Sequence, residues 1–168
     1  MKWAIIILIM LSLIGSMMWV LPTRRERFQA QLRSQAKALG YHVQLAKVTA
    51  PRALGEMEAE TYSVPAYRLL RTNIDSRERE QLAGWQVFRV DSVANEGLPS
   101  GWSWGWGASA LTSDQLALVN QVIGEMPDDV LALESTPIHV TAYWREEGPL
   151  SDLERIKSAL DRILAARF

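Results

Sequence analysis

The chain has 168 residues, 22% charged and 48% hydrophobic, with a formal net charge of −1, a composition that folds as one domain plus an appendage. It has no cysteine and only two histidines, His42 and His139, which excludes disulfides, thiolate metal sites, a cysteine nucleophile and a histidine-rich metal centre. Between Pro22 and Lys47 stand six basic residues and one acidic, whereas from Val48 onward eleven basic residues face eighteen acidic, so the body lacks the clustered positive charge that nucleic acid demands.

Residues 3–21 (WAIIILIMLSLIGSMMWVL) carry no charge. As a helix they reach about 28 Å, close to the thickness of a bilayer hydrocarbon core. Trp3 and Trp19 lie near the two ends, where indole rings favour the lipid–water boundary. The stretch exceeds a signal-peptide core and lacks an A-x-A-like cleavage site, so it reads as an uncleaved transmembrane anchor over 1–21. Arg24, Arg25 and Arg27 follow at once, and the positive-inside rule then sets the body in the cytoplasm and the N-terminus outside. These three arginines are the expected contacts to anionic lipid headgroups.

After Pro22, Thr23 and Glu26 form a capping-box pattern for a polar helix ending at Gly40. This basic juxtamembrane helix fills 22–40, and residues 41–168 make the body. YHVQLAKV (41–48) alternates as a half-buried strand, with Tyr41, Val43 and Leu45 inward. Residues 49–61 read as a loop, and 62–72 as a strand whose Pro65 suits an edge or a late start. A charged connector (76–84) leads to the strand WQVFRVDSV (85–93). Thr112 or Ser113 caps a helix with Leu116, Val119, Ile123 and Met126 on one face, stopped by Pro127. Strands follow at 130–136 and 138–146. A last helix begins at Gly148-Pro149 with the box Ser151-x-x-Glu154 and buries Leu153, Ile156, Leu160 and Ile163. Short strand joints favour antiparallel pairing, so the expected body is α+β: a small, mainly antiparallel sheet packed with two or three helices.

Chemistry is sparse. Ser34 and Lys37 match S-x-x-K, but none of the companion motifs of that hydrolase class is present. His139, Thr141 and Tyr143 share one side of a strand, and a His–Tyr pair suits acid–base work. Half-buried sheet residues with satisfied hydrogen bonds are the simpler reading, because no nucleophile or metal ligand stands beside them in the sequence. Asp128 and Asp129 follow Pro127 as turn residues. No cofactor and no metal site is expected.

GLPSGWSWGWG (97–107) holds Trp102, Trp104 and Trp106. In an extended chain their rings share one face. They then either pack on the protein's own sheet as a lid or form an apolar platform. Such a platform suits a protein partner, since aromatic residues dominate interface hot spots, or the lipid headgroup zone, or sugar rings, which a cytoplasmic body disfavours. Partial burial is expected, with at least one ring internal and one accessible.

The apolar start, the arginine-rich turn after Pro22, the polar helix ending at Gly40 and the late VLALE…YWREEG segment resemble a set of uncharacterised single-pass bacterial inner-membrane proteins. The first 45 residues also resemble, in topology, the small accessory subunit of the bacterial preprotein translocase. The expected function is a membrane-anchored, non-enzymatic adaptor or accessory subunit of an inner-membrane complex, docking a partner through its body at Trp102, Trp104 and Trp106. The alternative is a membrane-bound, hydrolase-like enzyme with its site near His139 and Tyr143.

Overall fold

The computed structural model describes residues 2–18, 22–72, 74–82 and 84–167, apart from the side chains of residues 17 and 18. It divides into two compact units, Met1–Leu32 and Arg33–Phe168. Each is taken by itself.

The first unit holds α1 (Lys2–Met18) and the start of α2 (Arg24–Ala38). The expectation of a transmembrane anchor is overturned here. Among the described residues helix α1 has 17 residues, which span roughly 26 Å, short of a hydrocarbon core of about 30 Å. Among the described residues no helix is long and apolar enough to cross a membrane. Trp19, the second expected interfacial ring, lies outside the described residues. The capping box forms: Thr23 N donates to Glu26 Oε2 at 2.6 Å, and Glu26 N donates to Thr23 Oγ1 at 3.2 Å. Those bonds hold the Glu26 carboxyl below its usual pKa, the backbone bond contributing most.

In the second unit α2 stops as expected. Gly40 takes a φ of +90°, a conformation open to glycine at little cost, and Tyr41 N closes back on Ala36 O at 3.0 Å. The remaining elements are β1 (His42–Thr49), β2 (Thr61–Leu70), α3 (Ser76–Gln81), β3 (Trp85–Phe88), β4 (Ser103–Trp106), α4 (Ser113–Glu125), β5 (Val130–Ser135), β6 (His139–Trp144) and α5 (Ser151–Ala166). The fold is α+β, built on one six-stranded sheet in the order β1-β2-β6-β5-β3-β4 with every pair antiparallel. Pro65 sits inside β2 although β2 is no edge, because pairing with β6 begins one residue later, at Ala66; the missing N–H breaks no rung.

The sheet has two unlike faces, since consecutive residues alternate. One carries Tyr67, Ala142, Leu133 and Val87, in register across four strands. Helix α5 covers it with Leu153, Ile156, Ala159, Leu160 and Ile163 buried, and Tyr41 ties the two by donating from its hydroxyl to Leu153 O at 3.3 Å. Helix α4 packs beside α5 and carries the capping box of Thr112 and Gln115. The box expected at Ser151 does not form, for Leu150 is the N-cap and makes no side-chain cap bond. The other face begins as a second apolar cluster of Val48, Val64, Ala66, Phe88, Ala132 and Tyr143, joined by Ala50 and Val90 from the flanking loops. It then turns polar.

Candidate functional site

The tryptophan segment is partly structure and partly surface. Trp102 is buried under the Arg89 guanidinium, whose carbon lies 4.8 Å from the ring centroid. Arg89 in turn donates to Val130 O at 3.0 Å and Pro127 O at 2.8 Å, fastening the loop after β3 to the end of α4. Trp104 is buried too, and its indole N–H donates to Glu96 O at 2.9 Å. Trp106 remains 42% exposed.

The three rings do not share a face, which corrects the expected platform. Trp104 stands opposite Val87, and Trp106 opposite Gln86. Those partners are consecutive residues and face opposite sides of the sheet. The extra residue is Gly105, a β-bulge on which a Cβ would come within 2.7 Å of the Phe88 ring. Such a bulge re-aims the side chain that follows it.

The second candidate, around His139 and Tyr143, is a polar row. Gln86, Glu134, Thr141, Arg68 and His42 are direct cross-strand neighbours over five strands. Glu134 Oε2 accepts from Gln86 Nε2 at 2.8 Å and from the Tyr143 hydroxyl at 3.1 Å. Burial raises the Glu134 pKa, opposed by the Tyr143 hydroxyl, the Arg68 charge and Gln86. Burial also pushes the Tyr143 hydroxyl up to about 12, with Glu134 adding to it. Burial lowers His139, and the charge of Arg68 adds to the effect. His139 Nδ1 lies 3.0 Å from Thr141 Oγ1. That is the spacing of a hydroxyl nucleophile and its base, but Thr141 is 0% exposed and no substrate carbon can approach its oxygen. Both groups are spent on neighbours within the sheet.

A third constellation joins residues far apart in the chain and follows from no sequence motif. Glu146 follows β6 at a φ of +59°, with its side chain 0% exposed. Arg33 clamps it through both ends of the guanidinium, Nε to Oε1 at 2.8 Å and Nη2 to Oε2 at 2.7 Å, while the Tyr67 hydroxyl donates to Oε1 at 2.6 Å. The carboxylate raises the Arg33 pKa; burial first, and then Glu146, raises that of Tyr67. Nearby, Asp129 accepts from Trp144 Nε1 at 2.5 Å and from the backbone N–H groups of Glu147 and Gly148 at 2.8 and 3.0 Å, so it is a turn clamp. In the sequence Arg33 is one of the six basic residues between Pro22 and Lys47. No local pattern marks a pair separated by 113 positions.

Of the expected headgroup contacts, Arg24, Arg25 and Arg27 are exposed on the first turns of α2. Ser34 and Lys37 are exposed on its second half. No protein-family model, curated protein or solved structure matches the chain significantly.

Proposed function

We propose that the protein is a non-enzymatic adaptor or accessory subunit of a bacterial inner-membrane complex. Its N-terminal unit holds it at anionic lipid, and its α+β body binds a protein partner. The observation that carries this reading is the apolar surface of α1, where Trp3, Ile5, Leu8, Leu11 and Ile14 are all exposed. A helix that is apolar all round requires an apolar surrounding, and the exposed Arg24, Arg25 and Arg27 suit the anionic headgroups of a cytoplasmic leaflet. The hydrolase-like alternative has the His139–Thr141 contact in its favour and the complete burial of Thr141 against it.

Amine-reactive crosslinking in intact cells, followed by membrane fractionation and mass spectrometry, tests the adaptor reading. The expected product is a discrete heteromeric adduct of the full chain in the membrane fraction. An uncrosslinked chain recovered away from membranes would contradict the proposal.

A further inference from the structure

The two edges of the sheet are treated unequally. Strand β4 is four residues long and bulged, and its Trp104 N–H is taken by Ala94 O at 2.7 Å. Short, bulged and covered edges do not recruit further strands. Strand β1 has eight residues, all paired with β2 without a bulge, and it forms the opposite edge.

Its outward groups can be assigned. Ala50 N donates to Glu60 O at 2.9 Å, next to the final pair of the ladder, Thr49↔Thr61. Hydrogen-bonded and non-bonded pairs alternate in an antiparallel ladder. His42, Gln44, Ala46 and Val48 therefore turn their main-chain groups toward β2, and Val43, Leu45 and Lys47 turn theirs away. Among the described residues nothing bonds these outward groups. The same three residues put their side chains on the helix-bearing side of the sheet, and Leu45 is 69% exposed. Beside them lies a groove of about 320 Å3 lined by Arg33, Lys37, Val43, Gln44, Leu45 and Pro65. Arg33 is neutralised by Glu146, but Lys37 and Lys47 are exposed, and neither takes part in an ion pair among the described residues.

We infer that β1 is the docking edge for an extended segment of a protein partner. The segment adds as a seventh strand, its apolar side chains against Val43 and Leu45 and its flanking carboxylates against Lys37 and Lys47. Main-chain bonds to an open edge give such a mode its affinity, and alternate side chains give it specificity. The inference rests on the adaptor reading and names the surface that reading requires.

The probe is the end-capped heptapeptide Glu-Thr-Val-Thr-Val-Thr-Glu, which presents valines and carboxylates on one side in either strand direction. The full chain should bind it saturably in a titration followed by fluorescence anisotropy. The counterpart with lysine at both ends should bind at least about tenfold more weakly. Leu45→Pro removes one outward N–H and leaves the β1–β2 ladder intact, so affinity should fall about tenfold. Lys37→Glu with Lys47→Glu should abolish preference for the acidic peptide. A second readout needs no variant: amide exchange at Val43, Leu45 and Lys47 should slow when the peptide is added. Equal binding of both peptides, unchanged exchange at those amides, or a dimer of the chain that Leu45→Pro dissolves would overturn the inference. In cells, a membrane-fraction adduct that survives Leu45→Pro keeps the adaptor reading and removes this one, whereas absence of any adduct removes the adaptor reading itself.

Discussion

At the scale of single residues the tryptophans divide by role. Trp102 and Trp104 are each buried and held by a specific partner, Arg89 and Glu96 O. Truncation of a buried tryptophan leaves a cavity and costs about 3–5 kcal/mol. Chemical denaturation of Trp102→Ala and of Trp104→Ala should each show a loss of that size. Trp106→Ala should cost about 1 kcal/mol or less, as its ring is half in water. Equal losses at all three positions would contradict the bulge that separates the rings. The carboxylate of Glu146 makes a complementary prediction. Arg33→Met strands a buried charge and should cost about 3–5 kcal/mol. The double variant Arg33→Met with Glu146→Gln should recover part of that loss, because the unpaired charge is gone. His139 gives the pH dependence. Its pKa is lowered by folding, so the unfolded chain takes the proton first, and stability falls as pH drops below the ordinary value of about 6.5. His139→Gln should flatten that part of a melting-temperature profile, and a profile unchanged by the substitution would show that His139 does not sense folding.

At the scale of elements, what could be read in the chain was what local pattern encodes. The cap at Thr23 is read from a hydroxyl and a glutamate three residues on, and it forms; for the later helix the sequence offers Thr112 or Ser113, and Thr112 is the residue that caps. Strand β1 could be placed but its inward set could not. Leu45 is exposed and Val48 buried, since an edge strand is covered by what crosses it and not by its own alternation. The tryptophan segment was legible as extended chain but not as a bulged strand, for the register is set by β3 and not by the segment itself. Length misled at α1. The uncharged run of 19 residues suggests a span, whereas among the described residues no helix is long and apolar enough to cross a membrane. The polar row was visible only as His139, Thr141 and Tyr143 on one strand. Arg68, Gln86 and Glu134 join it through pairing between strands, which sequence alone does not supply.

At the scale of the whole molecule the charge asymmetry organises the account: basic residues cluster in α2 and acidic ones in the body. An acidic body is repelled by an anionic surface, so in the proposed membrane-held reading the basic residues of α2 and the apolar helix α1 would have to carry the attraction. Each basic side chain near such a surface is worth about 1 kcal/mol and is screened within about 10 Å at 0.1 M salt. Changing Arg24, Arg25 and Arg27 together to Gln should therefore weaken binding to anionic vesicles roughly a hundredfold at low salt and leave binding to neutral vesicles unaltered. The reading of the chain as a membrane-held adaptor stands on that N-terminal unit, and the most direct test is flotation of the full chain with vesicles containing phosphatidylglycerol. The chain should rise with the lipid and stay there through a high-salt wash, held by α1 after the arginines are screened. A chain that remains at the bottom of the gradient at low salt would contradict it.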